Sequence, residues 1–263
     1  MSRSRPPHAR LARPLAFIAV FLVTMAPVGR VHAALQSRAG GTMYYDTVLH
    51  VTWLGDPDAI AGTPFDDGVF PHDGRVSWAN AVAWADGLVF GGYRDWRLPT
   101  VEPLNGTSFV LTSPGTFNGT KDKGFNISAP GTLYEYSPAS ELAYMFYVNL
   151  GNLAYYGLDA TDFTDPPQPG WGLTNKGPFA NLQPATYWTG TVYPIPDWAF
   201  RFDFNLGQQL GDDTTNALNV FGAWAVRDGD VATVPEPMSI GLVGTAVASL
   251  FALRRRGKSG EGA

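Results

Sequence analysis

The 263-residue sequence predicts an α+β domain with short antiparallel strands, two helices and long loops. Three observations carry that expectation. Phe200, Phe202 and Phe204 alternate with Arg201, Asp203 and Asn205, the period of two of a half-buried strand. Trp78, Ala81, Val82, Ala85 and Leu88 recur at helical spacing behind Ser77, a residue suited to cap a helix. Thirty glycines and 21 prolines leave little chain for long regular elements.

The elements follow in order. After the turn-forming Gly40-Gly41, Thr42 to Tyr45 and Leu49 to Leu54 are β-branched and aromatic and predict two paired strands. A loop from Asp56 to Asp73 carries five acids whose spacing does not match an EF-hand. The first helix, Ser77 to Leu88, stops at Gly91-Gly92. In Trp96-Arg97-Leu98-Pro99-Thr100, Trp96 and Leu98 alternate with Arg97, predicting a short extended piece half in the core, with Arg97 in an ion pair or against a ligand. Pro99 keeps Leu98 out of the helical region, and Thr100 is expected to cap a brief helix through Leu104.

Asn105 to Tyr136 is too long for a bland connection. Three Asn-x-Ser/Thr sequences, at Asn105, Asn118 and Asn126, match glycosylation acceptors but carry little weight. Ser137-Pro138 predicts the start of a second helix, with Leu142, Met145, Phe146 and Leu150 buried and an end at Gly151. A further loop, Leu153 to Gln183, holds Asp159, Asp162 and Asp165. Ala185 to Thr191 predicts a strand, the Phe200–Phe204 alternation another, Asp212-Asp213 a turn, and Val220 to Arg227 the last strand.

Composition narrows the chemistry. There is no cysteine, which excludes thiol nucleophiles, thiolate metal sites and iron–sulfur clusters. Residues 34–253 hold 9 basic and 22 acidic side chains, a formal charge of −13, so nucleic acid and anionic lipid are poor partners. Within that stretch only His50, expected on a strand face, and His72, in a loop, could serve a Ser-His-Asp arrangement. No cofactor and no metal are expected, and the acidic loops carry no established calcium spacing.

The two ends predict export. Arg3, Arg5, Arg10 and Arg13 precede an apolar run from Leu15 to Val28, then Val31-His32-Ala33, the order of a signal peptide cleaved after Ala33. Val234-Pro235-Glu236-Pro237 precedes Met238 to Leu253, an uncharged run of 16 residues, then Arg254, Arg255 and Arg256. That run predicts a transmembrane helix with the arginines in the cytoplasm. The expected organisation is a signal peptide (1–33), a domain (34–229), a linker (230–237), a membrane helix (238–253) and a basic tail (254–263).

Pro235, Glu236 and Pro237, one membrane-length run and the terminal arginines together resemble a PEP-CTERM sorting signal. The resemblance implies a Gram-negative bacterium, an exosortase as processing partner, and delivery to the cell surface or an exopolysaccharide matrix. The ordered set of Trp53, Ser77-Trp78, Trp96-Arg97-Leu98-Pro99-Thr100, Tyr187-Trp188-Thr189-Gly190-Thr191 and Ala225-Val226-Arg227 resembles the Lcl C-terminal domain family, over roughly residues 42–227. That family is a domain of unknown function, and the resemblance implies a C-type-lectin-like fold. The lectin calcium motif does not carry over, because Gln168-Pro169-Gly170 lacks its final acid. The formylglycine-generating relatives use cysteines, and there are none. The expected function is a secreted, non-enzymatic binding or structural domain that touches extracellular polysaccharide, with Arg97, Trp171 and Trp198 as ligand-contact candidates and Tyr193 as a further loop aromatic. The alternative is a polysaccharide hydrolase working through paired carboxylates.

Overall fold

The computed structural model describes residues 35–113 and 115–231. The expected signal peptide, the sorting motif Pro235-Glu236-Pro237, the apolar run and Arg254 to Arg256 lie outside the described residues. Among the described residues no helix is long and apolar enough to cross a membrane.

The strands are β1 (Leu35–Arg38), β2 (Met43–Asp46), β3 (Val51–Leu54), β4 (Trp96–Arg97), β5 (Gly124–Phe125), β6 (Thr186–Val192), β7 (Trp198–Asp203), β8 (Gln208–Asp213) and β9 (Val226–Asp228). Helix α1 spans Trp78–Gly87, and α2 spans Glu141–Tyr144 and continues as a π-helical turn, Met145–Asn149. Two antiparallel sheets result, ordered β1-β2-β3-β9-β4 and β5-β8-β7-β6. The arrangement is α+β, as the sequence predicts.

Several expectations hold in detail. Ser77 caps α1, its hydroxyl accepting from the Asn80 amide. The buried face of α1 is Ala81, Trp84 and Ala85, so it is rotated toward Trp84, while Trp78 and Val82 stay half-buried. Phe200, Phe202 and Phe204 are fully buried beside half-exposed Arg201 and Asp203.

Others are corrected. The second helix is capped by Ser140, not Ser137: the Ser140 hydroxyl accepts from the Ala143 amide and donates to the Gln209 side chain. Gly151, at φ +67°, ends the helical run as expected. Thr100 caps no helix; its amide donates to Glu141, and Val101 bridges to Ser140, so that stretch stays extended. His50 sits in the β2–β3 turn at φ +55°, its ring bonded to the Tyr45 hydroxyl, rather than on a strand face. Asp212-Asp213 belongs to β8, which pairs with β7 along six residues. The last strand is shorter than Val220–Arg227 because the chain there bridges the sheets. The Trp188 amide donates to the Gly222 carbonyl and the Leu54 amide to the Ala225 carbonyl, stitching β6 to β3.

The core lies along that stitch. Trp53 and Trp224 pack at a tilt of 52° with centroids 4.6 Å apart, Phe179 meets Trp224 at 4.7 Å, and the Trp224 indole N–H donates to the Leu54 carbonyl. Helix α2 enters from the other side, with Phe146 against Phe202 and Phe204 at 5.5 Å. Aromatic packing of this kind replaces disulfides as the source of rigidity.

A candidate binding cleft beside the second helix

The π-helical turn widens the end of α2, and the loops Asn126–Tyr136 and Gly151–Gln168 close around it. Between them lies a half-enclosed cleft of about 420 Å³, within the range of small-ligand sites. Leu150, Leu153, Leu158, Tyr136 and Pro130 line it, with Asn126, Asn149, Asn152 and Gln168. Among the described residues, no Asp, Glu, Lys, Arg or His lines it.

The cleft is built from unusual backbone. Asn126, Ser128 and Tyr136 all adopt left-handed conformations, with φ of 61°, 64° and 61°. Such residues cost free energy unless surrounding contacts hold them, and they gather at functional sites, as π-turns do. Here the contacts are explicit. The Tyr136 amide donates to the Ser128 carbonyl at 2.9 Å, and the Asn126 amide donates to the Tyr147 hydroxyl at 2.8 Å. That hydroxyl in turn donates to the Gly207 carbonyl. Complete burial pushes the Tyr147 hydroxyl far above its ordinary pKa, so it stays a neutral donor.

The amides divide their labour. Asn126 gives its side-chain hydrogens to the Phe117 and Tyr156 carbonyls, and Gln168 gives its own to Ala154 and Tyr156. No donor among the described residues reaches the side-chain carbonyl oxygen of either. With the Asn149 side-chain oxygen, buried without a partner among the described residues, three side-chain acceptors therefore remain among the lining residues, amid leucines and a tyrosine. An acceptor-rich, uncharged, apolar-walled cleft suits a neutral ligand that brings its own O–H or N–H donors.

The sequence-predicted contact residues fall in three places. Trp171 is half-buried beside the cleft: it bridges to Leu153, a lining residue, and packs edge-on against Tyr155 at 4.7 Å. Arg97 is remote from the cleft lining and fully engaged. Its guanidinium grips Glu141 with two bonds of 2.8 and 2.9 Å, reaches Asp228 at 2.6 Å, and donates to the Leu98 carbonyl. Burial opposes its charge, but the two carboxylates hold its pKa above the ordinary value. Trp198 is half-buried and lines a separate depression of about 460 Å³ with Trp78 and the Tyr193–Asp197 loop. Tyr193 is buried, not a loop-surface ring: it packs against Phe200 at 4.7 Å.

The acidic loops serve their own backbone. Asp165 accepts from the amides of Thr161 and Asp162, Asp162 from Thr164, Asp66 from Gly62 and Gly74, and Asp67 from Ser77. These are turn-forming contacts. Asn126, which matched a glycosylation acceptor, is 4% exposed with its side chain committed inside. The sequence reading singled out Trp171 but missed Asn126, Asn149 and Gln168 as cleft residues. The one usable cue was Gln168-Pro169-Gly170, weighed as a broken calcium motif.

Comparison with known proteins adds no relative: no family model, curated protein or solved structure matches this chain.

Proposed function

We propose that this chain is an exported, non-enzymatic binding domain whose cleft beside α2 takes a neutral, hydroxyl-rich ligand of the kind found at the end of an extracellular polysaccharide. The observation that carries the reading is the cleft's acceptor set, Asn126, Asn149 and Gln168, on an uncharged wall. The formal charge of −13 over residues 34–253 disfavours uronate-bearing or phosphorylated glycans and so points to neutral ones. The hydrolase alternative needs two carboxylates flanking the scissile bond, and among the described residues the lining offers none.

The resemblance to the PEP-CTERM signal and the Lcl C-terminal domain family supports the rest. On that reading the chain leaves the cytoplasm by a signal peptide ending at Ala33. Residues 238–253 hold it in the inner membrane with Arg254 to Arg256 inside. An exosortase acting near Pro235-Glu236-Pro237 then delivers a C-type-lectin-like domain to the surface or matrix of a Gram-negative bacterium.

A glycan array probed with the full chain and with Leu153→Arg tests the cleft. Leu153 is 44% exposed, so the substitution places a charged side chain in the lining at little cost to folding. Neutral glycans should be retained by the parent and lost at least tenfold by the variant. Equal retention by both, or retention of anionic glycans only, would remove the cleft from the account.

A further inference from the structure

We propose that the depression between Trp78 and Trp198 is a second binding site, distinct from the cleft, and that it takes an organic cation of the quaternary ammonium class. Trp78, Tyr193 and Trp198 line the depression, together with Val192, the Pro194–Asp197 loop and Thr214. Aromatic rings attract a cation through their electron-rich faces, most strongly when it is weakly hydrated, as an alkylated ammonium is.

The position of each group follows from the strands. Trp198, Phe200 and Phe202 share one face of β7, and the core runs out at Trp198, leaving its indole half-covered. Tyr193 lies flat against β8 because Gly211 has no Cβ; one added there would sit 2.4 Å from the tyrosine ring. Trp78 begins α1, and its indole N–H donates to the Thr189 carbonyl of β6 at 2.8 Å, which fixes the ring beside the hairpin.

Charge selects the ligand. Asp197 is exposed, accepts no side-chain hydrogen bond among the described residues, and is the one lining residue with a formal charge at neutral pH. Asp213 stands directly opposite Trp198 in the β7–β8 register, and opposed residues share a sheet face. Among the described residues no Lys, Arg or His lines the depression. The arginine of β7, Arg201, is paired with Asp212 at 2.9 Å. Two half-buried tryptophans over the buried Tyr193, beside the uncompensated Asp197 carboxylate and with Asp213, bonded to Thr215, further along the same face, make a cation site, whereas a sugar platform needs no such charge.

The site is also rigid before binding. The loop Tyr193–Asp197 contains two prolines, the Trp198 amide donates to the Ile195 carbonyl, and the Asp197 carbonyl accepts from both the amide and the hydroxyl of Thr214. A pre-formed loop loses little entropy when a ligand enters. Asp197 holds φ +61°, a conformation that asparagine adopts as readily, so Asp197→Asn removes the charge and keeps the loop.

The test is titration of the full chain with choline chloride against matched sodium chloride, followed by calorimetry and by the tryptophan indole N–H resonances. The neutral isostere 3,3-dimethylbutan-1-ol and glucose are run alongside. Choline should saturate and should bind at least tenfold more tightly than the isostere. Asp197→Asn should weaken it about fivefold or more, and Trp198→Ala should abolish it. Leu153→Arg, which blocks the cleft, should leave it unchanged, so this site and the cleft fail separately. No saturation, equal binding of the isostere, tighter binding of glucose, or an unaltered Asp197→Asn variant would each overturn the assignment. If Trp198→Ala does not fold, Asp197→Asn still decides.

Discussion

The corner at Gly91–Thr100 and the cleft beside α2 sit at opposite ends of the same helix, and they are built on opposite principles. In the corner nearly every polar group is spent. Arg97 joins Glu141 and Asp228, Arg227 grips Asp95 with bonds of 2.9 and 2.7 Å while lying 4.2 Å over the Tyr93 ring, and Trp96 and Leu98 are buried. The Trp96 indole N–H is buried with no partner among the described residues. In the cleft no charge lines the wall among the described residues, left-handed backbone is held at Asn126 and Tyr136 in the lining and at Ser128 between them, and acceptor oxygens are left over. A satisfied network converts its interactions into stability, and an unsatisfied one holds them in reserve for a ligand. Mutations in the corner should therefore be read in melting, and mutations in the cleft in binding.

The largest expected effect is at Trp96. It is 2% exposed and touches Phe90 edge-on, with centroids 6.1 Å apart. Trp96→Ala should cost about 3–5 kcal/mol, lowering the thermal midpoint by roughly 6–20 °C for a domain of this size. An unchanged midpoint would mean the corner is not core. Next is the Arg97–Glu141 pair. Arg97→Ala strands a carboxylate whose side chain is 8% exposed, which costs about 3 kcal/mol. The lower end of the range applies because the arginine side chain keeps 28% exposure. Replacing both partners, Arg97→Met with Glu141→Leu, should recover most of that loss. About 1 kcal/mol should persist, because the Thr100 amide loses its acceptor at 2.7 Å. A double variant as unstable as the single one would show that the pair acts through packing rather than charge.

What was legible in the sequence divides along the same line. The corner was readable because its logic is local: alternation put Trp96 and Leu98 inward, and an arginine between them had to find an acid. Helix α1 was readable from Ser77 and the spacing behind it. Strand β8 was not, because Gln208-Gln209-Leu210-Gly211-Asp212-Asp213 carries a glycine and two acids that mark a turn. Tertiary packing explains both features: Gly211 makes room for the Tyr193 ring, and Asp212 pairs with Arg201 across the ladder. The start of α2 was misplaced because Ser137-Pro138 is the better local cap, yet the Ser140 hydroxyl has the buried Gln209 to bond. The cleft was least legible of all. Its amides are spread from Asn126 to Gln168, and nothing in their spacing says that they meet. Their role depends on which oxygens the fold leaves without donors.

The smallest expected effect, and the one that separates the two regions most cleanly, is in pH. The Asp95 carboxyl is held below the ordinary carboxylate range, chiefly by its hydrogen bonds to Arg227. A carboxyl whose folded pKa is depressed adds stability above its unfolded pKa, about 3.9, and loses it as pH falls through the folded value. Asp230, depressed by its bonds to Arg38, acts in the same direction. Acid unfolding should therefore draw partly on these surface pairs. Asp95→Asn should flatten the stability profile below about pH 4, with a difference of only about 0–1 kcal/mol at neutral pH because the carboxylate is 58% exposed, although its arginine partner is buried. Among the described residues the cleft has no carboxylate or histidine in its lining, so ligand affinity there should stay level between about pH 5 and pH 8, the range in which an ordinary histidine changes charge. Denaturant melts from pH 2.5 to 7 on the parent and Asp95→Asn, with ligand titrations from pH 5 to 8, measure both. An Asp95→Asn profile as steep as the parent's would remove the corner from the acid response. A cleft affinity that titrates within its window would place an ionisable group in ligand binding, against an uncharged site.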